Sequence, residues 1–234
     1  MQDPAAERVA RLADTAPLST GIHGWTWLWF VVLGALVIIG VVLEKKRQER
    51  IQKFAAARSL TYAKRDDRWV HLDLGYPHGS GRAHKGRHAM TGVHEGRAIA
   101  IFEHEWVTGS GKERRTHTVR VTVTELPRSL PRLDVGKEGI FGRAARRMGA
   151  KDIELESDDF NREYRVKGDR RFAYDVLHPR FMQWMLHTDA PGFVINGRYI
   201  GYTVGGKIDL DQVDRDLAYL DAVIDQLPKF VIGR

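Results

Sequence analysis

The sequence predicts an α+β protein: one N-terminal transmembrane helix, then a single domain with an antiparallel sheet and several helices. Three observations carry this reading. An uncharged run of 19 residues, Trp25 to Leu43, is followed at once by basic residues. From His88 to Thr124 the chain alternates apolar and polar residues between glycine-bearing turns. Near the C-terminus, apolar residues recur at three and four in one stripe.

Composition narrows the function classes. The chain has 234 residues, 37 basic and 30 acidic, for a net charge of +7. At 43% apolar and 29% charged it is too apolar to be disordered and too charged to be a polytopic membrane protein. It has no cysteine, which excludes disulfides, thiolate zinc sites, iron–sulfur clusters and cysteine nucleophiles.

A helix of 19 residues is roughly 28 Å long, against a hydrocarbon core of about 30 Å. Trp25, Trp27 and Trp29 gather at one end of the run, where indole rings favour the headgroup region. Lys45, Lys46 and Arg47 follow the other end, and these six residues are the expected membrane interface. Residues 1–24 carry a net charge of −1 and residues 44–234 a net of +8. The positive-inside bias therefore predicts an extracytoplasmic tail over 1–24, a span over 25–43 and a cytoplasmic C-terminal side. The leader is long and slightly acidic and the apolar run exceeds a signal-peptide core, so the reading is a retained anchor. Gly34 and Gly40 are six apart, which is not the small-xxx-small spacing of a tight helix pair.

Residues 44–59 read as a basic juxtamembrane helix with a weak apolar stripe of Ile51, Phe54, Ala55 and Leu60. Its charges set topology, or touch anionic lipid at about 1 kcal/mol per nearby base. Residues 60–234 form the expected cytoplasmic domain. Strands are predicted over 88–94, 97–107 and 117–124, turning at Glu95-Gly96 and at a polar hairpin over 108–113. The 117–124 strand is expected to bury one face, and Thr61–Tyr62 and Trp69–Leu74 to add edge strands. A short helix is expected over Ile140–Met148. A strand with an acidic face is expected over 152–156, continued or partnered by 160–166. Helices follow over 172–177 and from Pro179, then a hairpin at Asn196-Gly197. The last helix runs from Leu210 to Leu227, opened by a capping-box-like Asp209/Gln212 pair; its acidic face, Asp211, Asp214, Asp216, Asp221 and Asp225, is expected in solvent, the alternatives being docking on the domain's own basic surface or on a partner.

No constellation specifies a reaction. His78, His84, His88, His94 and His104 fall within 27 residues, but glycines rule out a helix there and Arg82, Lys85 and Arg87 would repel a divalent cation. Gly109-Ser110-Gly111-Lys112 lacks the flanking residues of a phosphate loop. The carboxylates at 152, 154, 156, 158 and 159 have no cage-forming spacing. No Gly-x-Ser-x-Gly or dinucleotide fingerprint occurs. The reading assigns no catalytic residue, no metal ligand and no cofactor. Basic clusters, Lys112, Arg114 and Arg115 at the hairpin and Arg143, Arg146 and Arg147 on the 140–148 helix, suit an acidic protein or anionic headgroups. Nucleic acid is not expected, because exposed aromatics do not interleave with them.

A further pattern runs through Leu126-Pro127 with Leu130-Pro131-Arg132-Leu133, Asp152 to Ser157 with Phe160-Asn161-Arg162, Tyr164-Arg165-Val166, Arg171-Phe172-Ala173 and Val176 to Met182. On these residues the chain from about 60 to 230 resembles a family of single-pass actinobacterial membrane proteins with no established activity. The resemblance implies a bacterial cell membrane location and an α+β domain, and it carries over no site residue. Among these segments Asn161, Arg162, Arg165, Arg171, His178 and Arg180 are polar positions suited either to one partner site or to capping helices and pairing with nearby aspartates. The expected function is a membrane-anchored, non-catalytic binding or accessory subunit docked on a larger inner-membrane complex, respiratory or transport. The alternatives are an anionic-lipid-binding module or a lipid- or envelope-related enzyme.

Overall fold

A computed structural model of the protein describes residues 26–137 and 152–233. Trp25 and the helix expected over 140–148, with Arg143, Arg146 and Arg147, lie outside the described residues. The chain divides into two compact units, Met1–Arg47 and Gln48–Arg234.

In the first unit, helix α1 (Thr26–Ala57) begins and carries the apolar run. From Trp27 to Leu43 every side chain is exposed. This is one helix long and apolar enough to cross a membrane, with a mean hydropathy of 2.4.

The second unit is α+β. Its strands are β1 (Thr61–Arg65), β2 (Arg82–His94), β3 (Arg97–Thr108), β4 (Arg115–Lys137), β5 (Tyr164–Gly168) and β6 (Gly192–Gly205). Its helices after α1 are α2 (Asp158–Glu163), α3 (Arg170–Val176), α4 (Pro179–His187), α5 (Val213–Gln226) and α6 (Lys229–Ile232). All strand pairs are antiparallel, and β1 to β4 form a meander. Glu95 and Gly96 both have positive φ, the geometry a two-residue hairpin turn requires.

The long strand β4 organises the rest. Its first half pairs with β3 and its last five residues with β5, while β6 runs along its opposite edge. β3 and β5 thus share one edge of β4, end to end. Between residues 125 and 133 the β4–β6 register shifts twice, opposite Gly197 at φ +60°. The shift exchanges which residues face which side. Val119, Val121 and Val123 pack with Phe102 and Trp106, whereas Leu133 and Val135 pack on the opposite face with Phe181 and Met185.

Several expectations are corrected here. Asn196-Gly197 is not a hairpin, because β6 is one strand and the glycine serves a bulge. Trp69–His71 is a 3₁₀ turn rather than an edge strand. Residues 152–156 form no ladder, although Ile153 donates its amide to the Val166 carbonyl. Residues 158–163 are helical because Ser157 caps them, its hydroxyl accepting from the Phe160 amide. The β4 face expected to be polar and solvated is buried, with Arg120, Thr122 and Thr124 at 7%, 1% and 2% exposure. Helix α5 starts at Val213, and Asp209 accepts instead from the Asp211 amide, two residues on.

The last turns of α1 belong to the domain. Ile51 and Ala55 are buried with Leu60, Met90, Ile101, Val213 and Leu217. The weak stripe of the juxtamembrane helix is therefore core.

Candidate functional site

The residues expected at a membrane interface separate by exposure. Trp27 and Trp29 stand out from α1, as do Lys45 and Lys46, while Arg47 is half-buried with its guanidinium 3.9 Å from Glu44.

The six polar positions divide by their neighbours. Asn161 clips the preceding segment, its side-chain oxygen accepting from the Leu155 amide and its amide donating to the Leu155 carbonyl. Arg162 pairs with Asp159 one turn back, and Arg165 lies 2.9 Å from Asp152. These three, with Asp152, Glu154 and Asp158, line an open depression of about 580 Å³. His178 caps α4, Nδ1 accepting from the Phe181 amide while Nε2 donates to the Gln226 carbonyl. Arg171 and Arg180 are exposed on α3 and α4, outside that depression.

A second concavity lies between a loop and three strands of the sheet. Period-two alternation places Leu133 and Val135 of β4, and Tyr164 and Val166 of β5, in the helix-packed core. Arg132, Asp134, Arg165 and Lys167 therefore face the other side. The segment from Asp73 to Ser80 overhangs that face. Arg132 holds it, donating to the Asp73 carbonyl at 2.8 Å and meeting the Asp73 carboxylate at 2.7 Å. Asn196 donates to the same carbonyl at 3.0 Å. Gly75, at φ +77°, passes so near β6 that a Cβ there would sit 2.9 Å from Val194. The cleft enclosed this way measures about 380 Å³, a ligand-pocket size. Burial pushes the Asp134 carboxyl up, and Arg132 and Lys167 oppose that shift. No sequence motif marks this site, since its residues come from a loop and three strands. Only the alternation along β4 and β5 hinted at a polar face.

The histidines divide as well. His84 Nδ1 lies 2.7 Å from His104 Nε2, so one ring donates to the other. Burial, reinforced by His84 and His78, lowers the His104 pKa to about 4. His88 bonds the Tyr62 hydroxyl and His94 pairs with Asp221. Among the described residues no group of three or more His, Cys, Asp or Glu could hold a metal ion.

Helix α5 docks on the domain's own bases. Asp214 pairs with Arg58, Asp221 with Arg97 and His94, and the buried Asp216 with Arg120. Asp216 is thus not on a solvated face.

The architecture among the described residues is an α+β domain with a six-stranded antiparallel sheet, preceded by one helix long and apolar enough to cross a membrane. The chain matches no family model and no curated protein. The crystal structure of the mycobacterial trehalose monomycolate transport factor A, TtfA, shares the fold with a TM-score of 0.54. The alignment covers 77% of this chain and 96% of that one at 12% sequence identity, so the likeness is one of fold.

Proposed function

We propose that the protein is a membrane-anchored, non-catalytic accessory subunit that docks on a larger bacterial inner-membrane complex, and that the complex is a transport machinery rather than a respiratory one. The fold shared with a transport factor supports this choice of host. The observation that carries the anchored reading is the helix from Trp27, whose apolar side chains are exposed among the described residues. Burying such a surface in lipid is favourable, whereas leaving it in water is not. In this reading the tail over 1–24 lies outside the cell and the domain lies in the cytoplasm, as the net charges of the two sides favour. Lys45 and Lys46 then sit at the cytoplasmic headgroups, where anionic lipid adds to retention.

The test is purification of tagged protein from its native membrane in a gentle detergent, followed by mass spectrometry of stoichiometric companions. A membrane transporter in constant ratio is the expected result. A respiratory complex would reject the choice of host, and a lone protein carrying only anionic lipid would reject the subunit reading. A cysteine placed at position 2 and another at 112, probed with an impermeant maleimide in intact cells, tests the orientation. Labelling at 2 alone is expected, and labelling at 112 would overturn it.

A further inference from the structure

The cleft under the Asp73–Ser80 segment is lined by two acids, Asp73 and Asp134, and four bases, of which Lys137 and Arg165 pair with Asp189 and Asp152 outside the lining, so that Arg132 and Lys167 stand against Asp73 and Asp134 inside it. Arg132 lies 2.7 Å from Asp73 and 3.5 Å from Asp134, and Lys167 acts on Asp134 from the neighbouring strand. A ligand with a full charge would have to break this pairing and would meet a like charge beside each opposite one. Hydroxyl groups both donate and accept, so they satisfy acids and bases together without changing the balance. Asp134 has spare capacity for them. A carboxylate offers roughly four acceptor positions, and its ion pair with Arg132 is long, at 3.5 Å. Beside these groups Leu74, Tyr76 and Val194 supply apolar wall. Gly136 leaves room on the sheet side, because a Cβ there would meet nothing nearer than Asp134 at 3.9 Å.

We propose that this cleft binds a neutral, hydroxyl-rich group, a sugar or the sugar headgroup of a lipid, with Asp134 and Arg132 as its principal acceptor and donor. This goes beyond the accessory-subunit reading and stands without it.

The test uses the full chain in lipid nanodiscs and a dodecyl maltoside carrying a diazirine in its alkyl chain, with crosslinked peptides mapped by mass spectrometry. Saturable labelling of the peptides containing 73–80 and 191–194 is expected. Excess unlabelled dodecyl maltoside should displace it, and a lysophosphatidic acid of equal chain length should compete at least tenfold less well. Displacement by free maltose would identify a soluble sugar as sufficient, and displacement by the maltoside alone a sugar lipid. Asp134→Asn, which keeps the side-chain shape, and Gly136→Phe, which fills the cleft, should each cut cleft labelling at least tenfold while labelling of the 26–43 helix stays constant. Equal competition by lysophosphatidic acid, labelling confined to the 26–43 helix, or parental labelling of either variant would overturn the proposal. If Asp134→Asn does not fold, Gly136→Phe and the competition series decide.

Discussion

Arg120 of β4 and Asp216 of α5 form an ion pair at 2.6 Å between Nε and a carboxylate oxygen, with side chains only 8% and 5% exposed. The Tyr202 hydroxyl of β6 donates to the same carboxylate. Two consecutive elements, β6 and α5, thus meet the distant strand β4 at one buried charge. Burial pushes the Asp216 carboxyl up, and Tyr202 and Arg120 pull it back down. Burial and the adjacent carboxylate together raise the Tyr202 pKa, so the phenol keeps its proton and serves as the donor.

Removing one member of this pair leaves the other buried and uncompensated, at a cost of about 3–5 kcal/mol. Asp216→Ala should therefore sharply lower the denaturant midpoint of the purified full chain. The double variant Arg120→Met with Asp216→Leu should recover most of the loss. An Asp216→Ala midpoint equal to the parent's would mean that water reaches the pair.

Stability should fall with acid through His104. In the unfolded chain this histidine takes up a proton near its ordinary value of 6.5, but in the fold only near 4. Between those values the unfolded state holds more protons, so stability rises with pH and is lost as pH falls from 6.5 towards 4. At about 1.4 kcal/mol per unit the loss is at most about 3.5 kcal/mol. Unfolding midpoints measured across that window should flatten in His104→Gln, and an unchanged slope would assign the acid sensitivity elsewhere.

Gly136 and Gly192 face each other across β4 and β6 but should respond differently to alanine. At Gly192 φ is +94° and a Cβ would lie 2.3 Å from the Val135 carbonyl oxygen. Gly192→Ala should cost on the order of 2–3 kcal/mol, through strain and a backbone clash. Gly136→Ala meets open space and should be neutral or slightly stabilising, because the unfolded chain loses freedom. Thermal melts of the two variants side by side decide it, and equal losses would contradict the β4–β6 register.

The end of α1 should behave as core. Ile51 is 1% exposed among Met90, Ile101 and Leu217. Ile51→Ala should cost about 2–5 kcal/mol, while Lys53→Ala, on the exposed side, should be silent. A silent Ile51→Ala would detach this turn from the domain.

Asn161 should act as a local clip. Losing its two bonds to Leu155 strands backbone groups that are partly buried, at about 1–3 kcal/mol. Asn161→Ala should speed amide exchange at Leu155 selectively, and uniform acceleration across the domain would show a global effect instead.

Local chemistry made much of this fold legible. The meander from β1 to β4, the Glu95-Gly96 turn, the helix opened by Pro179 and the terminal amphipathic helix all follow from periodicity and from residues with strong backbone preferences. The misreadings share one physical origin. Asn196-Gly197 favours positive φ, but a turn and a bulge use that preference equally, and only pairing along β4 selects the bulge. Residues 158–163 carry a capping serine, yet Phe160, Tyr164 and Val166 also alternate like a strand. Asp216 looks like its acidic neighbours until Arg120 and Tyr202 arrive from other elements.

By itself the sequence determined the uncharged helix, its basic flank and the α+β class, because these depend on composition and spacing along one segment. Only the tertiary structure decided where the charges go and where the concavities lie. The β4–β6 register shift exchanges the faces of both strands, and it turns Arg132 and Asp134 towards the Asp73 segment rather than towards the helices. A side chain's direction in a sheet is relative to its partner strand, so no single segment encodes it.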